Sequence, residues 1–219
     1  MIGTDKKIIQ ILKKYYGGQF LGLVSRLRTW YSNRFVIPSY SEKRQIILDY
    51  KKRFRLNTFV ETGTFMGDTI DRMKDHFARL YSIELSTELA AKAKERFFKS
   101  PHVTILQGDS GKYLAGIIKK LNLPVLYWLD GHYSGEFFVG DQYIKTAKAE
   151  YDTPIMEELK VIMGEGLGDN VILIDDARCF NGTHDFPTIN ALKKFVGGID
   201  SKAKVEIRRD VIRITRNIK

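Results

Sequence analysis

Three aspartates that follow apolar runs are the residues of this chain best suited to chemistry. Asp130 directly follows the run 125–129, and Asp175 and Asp176 directly follow the run 171–174. The carboxyl ends of neighbouring parallel strands meet at one edge of a sheet, so we expect the three carboxylates to converge. Converging carboxylates raise one another's pKa values, and a hard divalent cation such as Mg²⁺ or Ca²⁺ relieves their repulsion. The alternative for Asp175 and Asp176 is a helix cap beside a surface carboxylate.

A histidine lies two residues after the first of these aspartates. Histidine side chains in general titrate near pH 6.5, which suits removal of a proton close to neutral pH. His132 is therefore a candidate general base, and Asp130 a candidate catalytic partner. The alternative is a histidine that caps the turn or hydrogen-bonds the backbone.

A second set of polar residues follows earlier apolar runs. The first run leads into Glu61-Thr62-Gly63-Thr64-Phe65-Met66-Gly67-Asp68-Thr69, in which two glycines permit a tight turn and close approach of a ligand. The second run ends in Glu84, whose carboxylate can accept hydrogen bonds from the two hydroxyls of a ribose. The third is followed by Asp109 and Ser110 in a polar turn. An ordinary strand-to-helix turn is the alternative for the glycine pair.

The elements that position these residues alternate from Asn57 onward. Strands are predicted at 58–61, 80–84, 103–106, 125–129 and 171–174, and helices at about 68–77, 86–99, 110–121, 153–164 and 188–197. Residues 204–215 alternate apolar and polar side chains and predict a hairpin that turns near Arg209-Asp210. Together these indicate an α/β, Rossmann-like fold: a seven-stranded, mostly parallel sheet with one antiparallel strand and helices on both faces. The polar and aromatic segment 133–151 is predicted to be a loop that forms a lid or a substrate wall.

The first quarter of the chain differs in charge. Residues 1–56 carry 13 Lys and Arg against 3 Asp and Glu, whereas residues 57–219 carry 23 of each sign. We predict a basic helical N-terminal extension, with helices at 4–16, at 19–32 and from Ser41 to about residue 52, the last capped by Ser41. Its partner is either an anionic membrane surface, bound through residues 1–35, or the protein's own core beneath a solvated basic face.

At these residues the sequence resembles class I S-adenosylmethionine-dependent methyltransferases, over about residues 57–216. The spacing of Gly63 and Gly67 departs from the commoner Gly-x-Gly-x-Gly form and is similar to the macrocin O-methyltransferase (TylF-like) group of metal-dependent sugar O-methyltransferases. The resemblance implies that Asp130, Asp175 and Asp176 bind Mg²⁺ or another divalent cation. It also implies an S-adenosylmethionine pocket lined by Glu61, Thr62, Gly63, Thr64, Gly67, Asp68, Thr69, Glu84, Asp109, Ser110 and Asp130.

The resemblance predicts methylation of a hydroxyl on a sugar or related small molecule. Two alternatives remain: a nucleic-acid methyltransferase that uses the basic N-terminus, and a non-catalytic binding protein that retains the fold. A nicotinamide oxidoreductase is disfavoured because the first loop lacks Gly-x-Gly-x-x-Gly spacing. The chain has a single cysteine, Cys179, and its longest apolar runs are too short for a bilayer span or a secretory signal, so we expect a cytoplasmic protein, peripheral at a membrane at most.

Overall fold

The computed structural model of the chain describes residues 36–121, 124–133, 135–164 and 167–216. The helices predicted for residues 4–16 and 19–32, and the membrane contact predicted for residues 1–35, lie outside these ranges. Among the described residues, no helix combines the length and the apolar character needed to cross a bilayer.

Short buried strands form one seven-stranded sheet. Its strands are β1 (Thr58–Thr62), β2 (Arg79–Glu84), β3 (Val103–Gln107), β4 (Val125–Leu129), β7 (Val171–Ile174), β8 (Ala203–Arg208) and β9 (Val211–Arg216). They lie in the order β3-β2-β1-β4-β7-β9-β8, and β9 is antiparallel to both of its neighbours while the other pairs are parallel. The predicted α/β sheet with one antiparallel strand is confirmed.

Helices cover both faces of this sheet because each central strand is apolar on both sides. The helices are α1 (Tyr40–Phe54), α2 (Asp68–Met73), α3 (Thr87–Arg96), α4 (Ser110–Ile118), α5 (Ile155–Ile162) and α6 (Ile189–Ile199), with a 3₁₀ turn at Ala177–Cys179. Phe59 and Trp128 pack in a core with α1, α2 and α3. Val60 and Tyr127, one residue along the same strands, pack in a second core with α4, α5 and α6.

Helix α1 begins earlier than the sequence analysis predicted. The predicted cap, Ser41, is wrong: Ser39 caps the helix, because its side chain accepts the Glu42 N–H while the Glu42 carboxylate accepts the Ser39 N–H. Ile47 on this helix is buried in the core under β4 and β7. The last helix of the basic segment is thus packed on the sheet.

The segment 133–151 contains a hairpin where a loop was predicted. Strands β5 (Glu136–Val139) and β6 (Gln142–Lys145) pair antiparallel around a two-residue turn at Gly140 and Asp141. The hairpin predicted near Arg209-Asp210 is confirmed, and both turn residues have positive φ, as a tight turn between twisted strands requires.

The strand order also fixes where a ligand can bind. β1 lies between β2 and β4, so the chain winds to one side through β2 and β3 and to the other through β4 and β7. A crevice opens at the carboxyl ends of the strands at such a reversal. The polar residues singled out in the sequence lie at this edge.

Candidate active site

The loop from β1 to α2 passes against the end of β4. The N–H of Gly63 donates to the Ile83 carbonyl oxygen (2.9 Å), and Gly63 has a φ of +81°. A Cβ at this position would lie 2.5 Å from the Asp130 carbonyl oxygen. Only glycine allows the loop to approach the end of β4 this closely. The glycine loop and Asp130 therefore pack backbone against backbone.

Glu84 ends β2 with its carboxylate held by the backbone. One oxygen accepts the Phe65 N–H and the other accepts the Ser86 N–H, both at 2.8 Å. Each oxygen retains lone pairs for a further donor. The residue is buried yet lines the cavity, which suits a group that accepts hydrogen bonds from ribose hydroxyls.

Glu61, on strand β1, is buried beneath the loop that follows this strand. Ser82 Oγ donates to its carboxylate (2.5 Å), and Ser82 Oγ also bonds Thr64 Oγ1 (2.6 Å). Burial raises the pKa of Glu61 to about 8, against the opposing effect of the hydrogen bonds from Ser82 and Thr69. Glu61 therefore supports the loop from beneath and does not line the cavity.

The turn after β3 is held by a buried glutamate that the sequence analysis missed. Asp109 caps α4 by accepting the Gly111 N–H (3.0 Å), and Ser110 Oγ donates to Glu158 of α5 (2.5 Å). Burial raises the pKa of Glu158 to about 7, although the hydrogen bond from Ser110 opposes the shift. A glutamate on an amphipathic helix normally points to solvent. The one sign in the sequence that Glu158 is buried is its position on the apolar face of α5, between Ile155 and Ile162.

At the other end of the cavity, His132 lies between two aspartates. Its Nδ1 is 3.5 Å from Asp130 Oδ1 and its Nε2 is 3.6 Å from Asp176 Oδ2. One possible ligand atom from each of the three residues lies within 4.8 Å of the others. Burial, and then the carboxylates of Asp175 and Asp176, raise the pKa of Asp130 well above its ordinary value.

Asp175 faces a different partner. Its Oδ2 is ion-paired with the ammonium of Lys43 on α1, and its other oxygen accepts the Asp176 N–H (2.9 Å). Burial lowers the pKa of Lys43, but the carboxylates of Asp175, Asp130 and Asp176 outweigh burial and the net shift is upward. The sequence analysis missed Lys43 because its sequence neighbours do not distinguish it from the other Lys and Arg side chains in the segment 1–56.

Asp176 is anchored on its far side. Its φ is +55°, in the left-handed region, and its Oδ1 accepts from Arg178 Nη1 (2.7 Å). The same Arg178 nitrogen pairs with Asp210, which is fully buried and also accepts the Arg178 N–H (2.8 Å). Arg178 thus offsets the charge of both aspartates.

A single cavity of about 360 Å³ joins the two ends. The predicted site residues that line it are Gly63, Thr64, Asp68, Thr69, Glu84, Asp109, Ser110, Asp130, His132, Asp175 and Asp176. Glu61, Thr62 and Gly67 are outside the lining. Asp68 lies at the rim and pairs with Arg96 (2.8 Å). Aromatic side chains from α1 and from the segment around the β5–β6 hairpin complete the wall: Tyr40, Tyr133 and Tyr151.

Solved structures with the same architecture cover nearly the whole chain. The S-adenosylhomocysteine-bound methyltransferase PaMTH1 of Podospora anserina matches 99% of this chain and 97% of its own, with a TM-score of 0.54 and 19% identity. The Bacillus cereus O-methyltransferase, also an S-adenosylhomocysteine complex, matches 99% and 100%, with a TM-score of 0.52 and 14% identity.

The Streptomyces achromogenes O-methyltransferase TomG matches 99% of this chain and 100% of its own, with a TM-score of 0.51 and 11% identity. The chain has the Rossmann-like methyltransferase fold. No protein-family model matches the sequence, and no curated protein matches it. At these identities the likeness shows the fold, and the activity must be argued from the site.

Proposed function

We propose that the protein is an S-adenosylmethionine-dependent O-methyltransferase that acts on a hydroxyl of a small molecule, with a sugar or related compound as the acceptor class. The observation that carries this proposal is the continuity of the cavity. Glu84 and Asp109, which would bind the nucleoside, line the same space as Asp130, His132 and Asp176. One bound molecule can therefore present its reactive end to the aspartates.

The first three strand ends suit the methyl donor. Glu84 would accept the ribose hydroxyls, and the turn at Asp109 and Ser110 would border the adenine. The glycine loop before α2 would receive the methionine part, because Gly63, Thr64 and Thr69 line the cavity next to Glu84. S-adenosylmethionine supplies an electrophilic methyl group on a sulfonium.

The donor set at the other end fits a divalent cation. Asp130 and Asp176 offer carboxylate oxygens, the ligands that hard cations prefer. The Lys43 ammonium already stands among these carboxylates, so positive charge is favoured there. Asp130 and Asp176 would hold the cation, with Asp175, the third predicted ligand, beside them; the cation would lower the pKa of an acceptor hydroxyl.

His132 would then take the proton. The acceptor oxygen forms a bond to the methyl carbon, the carbon–sulfur bond breaks with its electron pair going to sulfur, and the hydroxyl proton passes to the His132 imidazole. Asp130 and Asp176, 3.5 and 3.6 Å from the ring nitrogens, would orient the imidazole. Tyr133 and Tyr151 would orient the acceptor ring, since holding the reacting atoms in line supplies much of the rate.

Isothermal titration of the full chain with S-adenosylmethionine, with and without Mg²⁺, tests the proposal first. We expect saturable binding, followed by transfer of labelled methyl to hydroxylated acceptors that is reduced by a chelator. Absence of binding at millimolar donor would contradict the enzyme proposal. RNA binding with a steep salt dependence would instead favour a nucleic-acid acceptor.

For residues 1–35 we propose binding to an anionic membrane surface, on the basis of their charge alone. Co-sedimentation with vesicles that contain anionic lipid, compared with neutral vesicles, tests this. Equal partitioning to both would favour packing of the segment on the protein.

A further inference from the structure

Lys43 reaches the site from helix α1, far in sequence from the strand ends that carry the aspartates. It lies on the first turns of α1, and its ammonium contacts Asp175 across 132 residues of sequence. Two contacts fix α1 on the fold: Ile47 in the core, and an ion pair from Glu42 to Arg209 in the β8–β9 turn; the capping box of Ser39 and Glu42 fixes where the helix begins. Because α1 is fixed on the sheet, the fold positions Lys43 next to Asp175, unlike a flexible lysine on the surface.

The charges around Lys43 divide unequally. Asp176 and Asp210 share the Arg178 guanidinium, and Asp175 has the Lys43 ammonium. Asp130 has neither cation as a hydrogen-bonding partner in the described part of the chain, and the carboxylates of Asp175 and Asp176 affect its pKa more than the Lys43 ammonium does. The cluster is thus partly neutralised by side chains, with Asp175 assigned to Lys43.

We propose that Lys43 is a positioning residue that holds Asp175 out of the cation site and so sets how tightly Asp130 and Asp176 bind a divalent cation. This inference rests on the metal site of the proposed function. A lysine that pairs with a potential ligand acts twice: it removes one carboxylate from coordination and adds a positive charge next to the site.

Both effects weaken cation binding. Cation affinity rises with the number of charged ligands, and charges a few ångströms apart inside a protein interact strongly because screening by water is weak. Replacing Lys43 should therefore release Asp175 as a third carboxylate ligand. The site would then bind the cation more tightly, because α1 would no longer supply the charge that limits its affinity.

The test is Mn²⁺ binding to the full chain, measured by electron paramagnetic resonance and by titration calorimetry without any methyl acceptor. Lys43→Met keeps the length of the side chain and removes the charge, and we expect its Mn²⁺ affinity to rise by at least about tenfold. Lys43→Arg keeps the charge, and its affinity should stay within about threefold of the unmodified chain. Arg44→Met is the matched control, because Arg44 is an exposed neighbour on α1 that bonds His76.

An unpaired Asp175 is expected to destabilise Lys43→Met, so the rise in melting temperature on adding Mn²⁺ is a second readout. This rise should be larger in Lys43→Met than in the unmodified chain, Lys43→Arg or Arg44→Met.

If the unmodified chain binds Mn²⁺ and Lys43→Met binds it no more tightly, the inference about Lys43 is overturned while the proposed function stands. If only Lys43→Met binds Mn²⁺, the inference holds in its strongest form and metal dependence of the unmodified enzyme is contradicted. If neither binds Mn²⁺, the inference about Lys43 and the metal dependence of the proposed function both fail, while the binding of S-adenosylmethionine is tested separately.

Discussion

The cofactor end and the reacting end of the cavity hold their polar groups in different ways. At the cofactor end the backbone does the holding: the Glu84 carboxylate accepts the N–H groups of Phe65, in the β1–α2 loop, and of Ser86, two residues along the chain. At the reacting end, charged side chains do it: Asp175 meets Lys43 of α1, and Asp176 meets Arg178, which also pairs with Asp210 in the β8–β9 turn.

This contrast separates binding from chemistry. A carboxylate held by backbone N–H groups is rigid and remains ready to accept more hydrogen bonds, which suits recognition of a nucleoside. Carboxylates crowded together and only partly neutralised attract a cation or a proton, which suits a reaction. Substitutions at the two ends should therefore affect different measurements.

The largest effect is expected from Asp176→Ala. Removing this carboxylate takes away a proposed cation ligand and a neighbour of His132, so turnover should fall by ~10³-fold, about 4 kcal/mol of transition-state stabilisation. The affinity for S-adenosylmethionine should change by less than about threefold, because Asp176 lies at the far end of the cavity from Glu84. Initial rates with labelled donor and calorimetry measure the two quantities.

Asp75→Ala is the control for Asp176→Ala, since Asp75 is an exposed aspartate outside the cavity. Full activity in Asp176→Ala would refute its role at the reacting end. Loss of donor binding to the same degree as turnover would remove the distinction between the two ends.

The next largest effect is expected from Gly63→Ala, which should disturb the contact between the two ends of the cavity. The residue has a φ of +81°, and the new Cβ would meet the Asp130 carbonyl oxygen at 2.5 Å. A non-glycine residue at positive φ costs about 1–3 kcal/mol, and the backbone overlap adds to this, so donor affinity should fall by ~100-fold. Calorimetry gives the affinity, and denaturant unfolding gives the stability.

Gly197→Ala on α6 is the matched control. An added Cβ there meets nothing within 4 Å, and φ is not positive, so stability should be unchanged or rise by up to about 1 kcal/mol. Donor affinity should also be unchanged. An equal response in the two glycine variants would show that the contact between the β1–α2 loop and Asp130 has no special importance.

The same contrast explains what the sequence could predict. The apolar runs predicted the strands because buried parallel strands lack a polar face, and residues directly after them, such as Glu84 and Asp130, then had to lie at one edge. Lys43, Glu158 and Asp210 could not be found in this way. Each acts through a contact between distant segments, and neither composition nor spacing encodes that contact.

Some misses had a local signal. Ser39 followed three residues later by Glu42 is a capping-box pattern, which favours Ser39 over Ser41 as the cap of α1. Gly140-Asp141 between two short β-prone runs is a two-residue turn pattern, and it predicts the β5–β6 hairpin. In both cases short-range turn chemistry was present in the sequence and outweighed the broader pattern.

Glu158 tests whether the two ends are joined through the core, and its substitution should have the smallest effect. Glu158 bonds Ser110 at the cofactor end, and one of its oxygens would lie 3.4 Å from a Cβ on Gly131, the residue after Asp130. Burial raises the pKa of Glu158 to about 7, whereas an unfolded glutamate titrates near 4.3.

Between these two pH values the folded state holds a proton that the unfolded state releases, so stability falls as pH rises. Glu158→Gln keeps a hydrogen-bonding partner for Ser110 but cannot titrate. When the pH rises from 5 to 8, we expect its free energy of unfolding to fall by about 2 kcal/mol less than that of the unmodified chain. Denaturant unfolding at both pH values measures this difference. Glu95→Gln, at an exposed glutamate of α3, should keep the pH dependence of the unmodified chain. If Glu158→Gln keeps it too, Glu158 is not the buried titrating link between the two ends, and the coupling rests on the contact of Gly63 with Asp130 alone.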